Sequence, residues 1–227
     1  MKSQSLILAS CLLAGPLLAA DSDTKNAVTD AAKKLAESAN YTWQATVVVP
    51  ESARFKPGPT EGTTEKDGFS SVTFSFGDIL IETAFKDDKA VVMDDNGAWQ
   101  SAADLLNGEG RERFLGRMVA NYKLPASQAT NLLAAAKELK KEGDTYSGEM
   151  TEAGAKSQYR FGEPINPKGS VKFWVKEGVI VKFEAKVEAT MEFNGNDVDV
   201  TRTTTTEIKD LGTTTVKVPE AARKKLG

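Results

Sequence analysis

The residues best able to do chemistry in this 227-residue chain are its carboxylates and one inward-placed arginine, because histidine is absent. Its absence removes the Ser-His-Asp and Cys-His relays, the HExxH zinc site and every His-ligated metal centre. Asp87, Asp88, Asp94 and Asp95 flank a hairpin and invite a calcium reading. Their spacing does not match an EF-hand loop, and turn chemistry accounts for them better. Glu152 and Glu163 have the residue types of a glycosidase acid/base pair. Nothing in the sequence brings the two together, and both read as solvated loop residues. No catalytic residue, cofactor or metal is therefore expected. Arg202 stands apart. Along Val198, Val200, Arg202, Thr204, Thr206 and Ile208 it shares the apolar face of a strand, where an unmet charge is costly. A ligand head group would meet that charge; so would a carboxylate partner, a position at the rim, or a bulge that shifts the register.

The elements that must position these residues begin after a leader. Met1 and Lys2 are followed by the apolar run Ser5–Gly15, then Pro16, Leu17-Leu18-Ala19-Ala20 and the first charge at Asp21. Residues 1–20 read as a signal peptide cleaved after Ala20, the run being too short to span a bilayer. Leu8-Ala9-Ser10-Cys11 offers the competing reading of a lipobox, with the protein anchored through Cys11. The ordinary signal is preferred, because the apolar run continues well past Cys11 and then serves one purpose. The mature chain, residues 21–227, is expected to be a single exported domain, periplasmic or secreted. Without Lys2 it carries 28 basic and 32 acidic residues, a net charge of −4. That balance, with no basic tract, disfavours nucleic acid and anionic membrane surfaces as partners. The mature chain holds no stretch of transmembrane length and no cysteine for a disulfide, and it is large enough to build a core without one.

Periodicity supplies the rest. Val28, Ala31, Ala32, Leu35 and Ala39 recur at three and four, a helical stripe over Thr24–Ala39. Tyr41, Trp43, Ala45, Val47 and Val49 alternate with polar residues as a strand. Glu51–Gly68, rich in Pro, Gly, Thr and charge, reads as a mobile loop. Strands resume at Ser71–Phe76, Ile79–Phe85, Lys89–Met93 and Ala98–Gln100, with a tight turn at Asp95-Asn96-Gly97. Residues of about 102–142 read as a helical insert. Phe114, Leu115, Met118, Val119 and Tyr122 form one face, and after Pro125 a second helix runs to Gly143 through Ala129, Leu132, Leu133, Ala136 and Leu139. Val171–Lys176, a Glu177-Gly178 turn and the long alternation Val179–Phe193 form a hairpin. Asn194-Gly195 turns the chain into Val198–Ile208, and Thr213–Val218 reads as one more strand before a short terminal helix. Trp174 lies on the lysine-bearing face of its strand. The expectation is an α+β protein: a curved antiparallel sheet of about nine strands, a half-open barrel, with helices packed on its concave face.

That pattern resembles the LolA/LolB-like and LppX/LprG superfamily of extracytoplasmic lipid and lipoprotein carriers. DDNGAWQ resembles the family's turn with a tryptophan on its return strand, and VKFWVKEGVIVKFEAKVE its hairpin. TTEIKDLGTTTVKVPEAARKKL resembles its ending of strand, Gly-containing bend, last strand and Pro-led tail. The resemblance implies a non-enzymatic carrier for a lipid or the acyl chains of a lipoprotein. Trp43, Phe74, Phe76, Trp99, Phe173, Phe183 and Met191 would line the sheet side of its cavity. Phe114, Met118, Leu132 and Leu133 would come from a helical lid, and Arg202 would reach a head group. LolA-type carriers latch the lid with an arginine on an early strand. Tyr41–Val49 and Ser71–Phe85 contain none, so simple binding or sensing is expected rather than that opening and closing cycle. The alternative from another class is a cell-envelope interaction module with a solid core and no ligand, docking a protein partner through a sheet edge or the 51–68 loop.

Overall fold

The computed structural model describes residues 17–53, 56–66, 68–159 and 162–227. Cys11 and the expected leader lie outside the described residues, except for Leu17–Ala20, which open helix α1 (Leu17–Glu37). Val28, Ala31, Ala32 and Leu35 form the buried stripe of that helix, as their spacing requires.

The chain then lays down β1 (Asn40–Val48), β2 (Thr60–Glu65), β3 (Phe69–Phe76), β4 (Ile79–Lys86), β5 (Lys89–Met93) and β6 (Trp99–Ser101) as a meander running to one edge of the sheet. Helices α2 (Ala102–Leu106), α3 (Gly110–Ala120) and α4 (Pro125–Ala135) follow. The chain re-enters at the opposite edge with β7 (Lys140–Glu142) and β8 (Thr145–Glu149), makes helix α5 (Glu152–Ser157), and returns inward through β9 (Ile165–Lys176) and β10 (Val179–Phe193). β11 (Asn196–Asp199) pairs with β10, β12 (Arg202–Lys209) closes against both β10 and β1, and α6 (Glu220–Leu226) ends the chain. The order is β6-β5-β4-β3-β2-β1-β12-β10-β9-β8-β7, antiparallel throughout, and the sheet does not close. Because the chain leaves at β6 and re-enters at β7, α2–α4 must cross the open side. The α+β class and half-open sheet expected above are therefore found.

Turn chemistry sets the hairpins. Asn194 and Gly195 have φ of 52° and 76°, and Glu177 and Gly178 have 52° and 74°. Paired positive φ values are the two-residue turn whose twist matches the flanking strands.

Among the described residues twelve strands form where about nine are expected, and each difference has a cause. The 51–68 segment is not all loop, since it contains β2. Thr60, Thr63 and Thr64 are β-branched, and Gly62 lies opposite Trp43, where a Cβ would stand 2.5 Å from the indole ring. A polar strand is thus seated by the aromatic on its neighbour. The second central helix stops at Ala135 rather than Gly143. Ala136 bridges Met150, and the Lys137 N–H donates to the Glu149 carbonyl at 2.8 Å, so pairing with β8 outweighs the helix propensity of Lys137–Glu142. Thr213–Val218 is not a strand, although Val216 and Val218 are buried.

Two apolar clusters lie on opposite faces of the sheet. The larger joins α1, α3, α4 and the inner face, with Phe173, Phe183, Ile180 and Val171 at its centre. The smaller joins Ala84, Val91 and Trp99 to Val216, Val218, Ala222 and Leu226, so α6 covers the outer face of β4–β6. Trp174 is half-buried on the outer face of β9, with the Lys172 and Lys182 ammonium groups 5.1 and 5.0 Å from its ring centre.

Tyr41 straps sheet to helix. It is 2% exposed, and burial pushes its phenol up to about 12, against the pull of hydrogen bonds to the Thr64 side chain and the Ala126 backbone. The folded pKa exceeds the unfolded one, so this stability is complete below pH 10 and is lost as pH rises towards 12. Two units correspond to about 2.7 kcal/mol at ~1.36 kcal/mol per unit. Denaturation midpoints measured at pH 8, 10 and 12 are expected to fall less steeply for Tyr41→Phe than for the wild type. Parallel curves would show that Tyr41 is not the group that titrates.

Candidate functional site

Between the inner face of the sheet and α3–α5 lies a cavity of about 2290 Å³. Ordinary small-molecule pockets run to roughly 1,000 Å³, so this space suits something longer. The strand pleat builds one wall. Ala45 and Val47 on β1, Phe74 and Phe76 on β3, and Phe183, Ala185, Val187 and Met191 on β10 all face inward at period two. Phe114 and Met118 on α3, Leu132 and Ala135 on α4, and Gly154 on α5 form the other wall. One end is built by the β10–β11 hairpin, where Phe193 and Val198 are 53% and 40% exposed. At the inner end the cavity reaches Ala45, Phe74 and Phe183.

The structure brings together Phe74, Phe76, Phe114, Met118, Leu132, Phe183 and Met191 of the expected lining residues, together with Arg202. It places the others elsewhere. Trp99 is the clearest correction: it belongs to the outer cluster under α6, because β6 presents this position to the face opposite the cavity. Phe173 and Leu133 are packed into the core, Phe173 with no exposure. Trp43 stands behind the wall, with its Nε1 donating to Thr64 Oγ1 at 3.2 Å. Its ring stacks on Tyr122 at 6.2 Å, and Tyr122 also meets Phe74 edge-on at 4.9 Å and Phe85 at 5.8 Å. Tyr122 both lines the cavity and anchors the α3–α4 connection to β1, β3 and β4. It lies at the end of the helical stripe read from sequence, where spacing could have nominated it. Tyr159 had no such signal, because α5 falls in a polar stretch.

Arg202 lies on the inner face, as its alternation implied. Val187 pairs with Arg202 and Thr190 with Asp199 in one unbroken register, so no bulge turns the arginine outward. Its guanidinium sits 4.9 Å from the centre of the Tyr159 ring, and the Tyr159 hydroxyl donates to the Val200 carbonyl at 3.3 Å. Burial raises the Tyr159 phenol, Arg202 opposes it, and Asp199 and Glu188 add to it. Asp199 accepts the Thr201 N–H at 2.8 Å and is held below the usual carboxylate range by the Thr201 side chain and backbone. Arg117 and Lys123 add positive charge to the wall, against Asp197 and Asp199.

The carboxylates elsewhere serve turns and surface pairs. Asp94 accepts the Asn96 and Ala98 N–H groups and the Gln100 amide, Asp95 pairs with Arg111 at 2.6 Å, and Glu163 with Lys156 at 2.6 Å. Among the described residues no three potential ligands converge as a metal site, and no helix is long and apolar enough to cross a membrane.

No family model and no curated protein sequence matches the chain. Solved structures do. The lipoprotein LppX of Mycobacterium tuberculosis aligns over 88% of this chain and 100% of its own, with a TM-score of 0.52 and 8% identity. The chain has the fold of LppX. LprF of Mycobacterium bovis aligns over 88% of this chain and 98% of its own at 9% identity, with a TM-score of 0.47 that is too low to add weight. The fold resemblance read from the hairpin and the C-terminal segment is thus borne out, with identity too low to carry more than fold.

Proposed function

We propose that this protein is a non-enzymatic, extracytoplasmic carrier or receptor for a hydrophobic ligand, either a lipid or the acyl chains of a lipoprotein. The observation that carries the reading is the cavity of about 2290 Å³ with its apolar walls. The space is half open to solvent, and apolar walls of this extent left accessible mark a binding surface, which favours a ligand over a solid interaction module. Each buried CH₂ gains about 0.8 kcal/mol, so a long acyl chain needs apolar wall rather than polar chemistry. Arg202, on the inner face near the β10–β11 hairpin, is the residue we assign to the head group. The absence of histidine from the chain agrees with binding rather than catalysis. The apolar leader supports export.

The test is native mass spectrometry of protein exported in a bacterial host, followed by organic extraction. A non-covalent adduct of lipid mass is expected. A clean apo mass, unchanged after incubation with phospholipids and acylated peptides, would overturn the proposal.

A further inference from the structure

An acidic protein lines its cavity with positive charge. The chain has a net charge of −3 at pH 7. Among the described residues, the charged ones that line the cavity are Arg117, Lys123, Arg202, Asp197 and Asp199. The two aspartates do not face into it. On β11, Val198 is paired with Met191 and both line the cavity, so alternation sends the side chains on either side of Val198 to the other face of the strand. The Asp199 carboxylate is also taken by the Thr201 N–H of its own turn, at 2.8 Å. The charges left on the walls, Arg202 from the sheet and Arg117 and Lys123 from the helical side, are of one sign.

Arg202 is set among apolar wall. It is half-buried, its partner on β10 is Val187, and the next inward position of its strand, Thr204, lies between Val47 and Ala185. Val47, Ala185 and Val187 all line the cavity. The Tyr159 ring, 4.9 Å away, attracts the cation without neutralising it. The Tyr159 hydroxyl, bonded to the Val200 carbonyl at 3.3 Å, ties that ring to the chain two residues before Arg202. The guanidinium is thereby kept at the inner face. When an acyl chain displaces water from these walls, a cation held there is costly unless the ligand brings the opposite charge. A guanidinium offers a planar fork that matches two oxygens of a phosphate or carboxylate.

Resting on the carrier reading, we propose that the ligand is an anionic amphiphile whose oxyanion, a phosphate or a carboxylate, binds Arg202, with Tyr159 as the positioning residue for that guanidinium. No bond is made or broken. A ligand with the same chains and no oxyanion strips water from Arg202 and returns nothing, and the site discriminates through that cost.

The test titrates two lipid pairs matched in their acyl chains: phosphatidylglycerol against diacylglycerol, and oleate against methyl oleate. Wild type is expected to prefer the anion by about 10-fold or more in at least one pair, the scale of a hydrogen bond to a charged group. A preference confined to the first pair identifies a lipid phosphate, and one confined to the second a free carboxylate. Arg202→Gln should erase the preference while the neutral lipid binds at least as well as before. Arg202→Lys, which keeps the charge and loses the fork, should retain part of it. Tyr159→Leu should narrow the preference without weakening the neutral lipid, which loss of a merely structural contact would not do. A wild-type preference that survived in Arg202→Gln, or equal binding within both pairs by wild type, would overturn the inference and leave the carrier reading standing. Failure of wild type to bind any of the four lipids would remove both.

Discussion

Val47→Asp is expected to abolish lipid capture, whereas Val48→Asp, one residue along the same strand, should leave it intact. Successive side chains on a strand point to opposite faces. Val47 lines the cavity, while Val48 is 69% exposed. In the empty protein Val47 is half-buried, so a carboxylate there stays hydrated and the fold tolerates it. Once an acyl chain enters, that water must leave, and the charge is either left unpaired or takes Arg202, which lies two residues along β12 from Val47's partner Thr204, away from the head group. The effective penalty for an unpaired buried ion is several kcal/mol, and at ~1.4 kcal/mol per decade a 3 kcal/mol loss is already more than about 100-fold in affinity. Both variants should elute and melt close to wild type, and the lipid adduct seen in native mass spectrometry should vanish in the first alone. Retention of the adduct by Val47→Asp would mean that the ligand, if any, does not occupy this space. Loss in both would point to a general effect of negative charge on β1.

The legible part of the fold follows from strict alternation. β1, β3 and the β9–β10 hairpin show period two over enough residues to declare their faces, and Asn194-Gly195 and Glu177-Gly178 show where the chain reverses. Elements whose stability comes from neighbours were hidden. β2 is polar and is held by pairing with β1 and by the Trp43 indole over Gly62. β7 is three charged residues that a helical pattern claims equally well. The same limit applies to the cavity. Phe74, Phe76, Phe183 and Met191 were legible because their strands alternate. Trp99 misled, because so short a strand shows no majority face, and only the packing of Val216, Val218, Ala222 and Leu226 against it decides that this tryptophan looks outward.

Phe173→Ala and Phe114→Ala should separate what holds the protein together from what it holds. Both phenylalanines were candidates for the same cavity. Phe173 has no exposure and sits in the core among β8, β9 and β10, whereas Phe114 is 47% exposed on α3 and faces the cavity. Truncating a buried phenylalanine costs about 3–5 kcal/mol, roughly a fifth or more of a typical ~5–15 kcal/mol stability. For a domain near 200 residues that is a fall in Tm of roughly 6–20 °C. Phe114→Ala removes a half-exposed side chain and should cost less than ~1 kcal/mol. Its effect belongs to the ligand. Roughly 80–100 Å² of a ~200 Å² phenyl surface becomes available to an acyl chain, worth up to about 2 kcal/mol at 25 cal/mol/Å², or about 30-fold in affinity. Chemical denaturation and lipid titration on the two variants therefore should give opposite patterns: Phe173→Ala unstable with near-normal affinity for the fraction that is folded, Phe114→Ala stable with weakened affinity. If Phe114→Ala bound lipid as tightly as wild type, the helical wall would be a structural cover, and the ligand's grip would have to come from the inner face of the sheet alone.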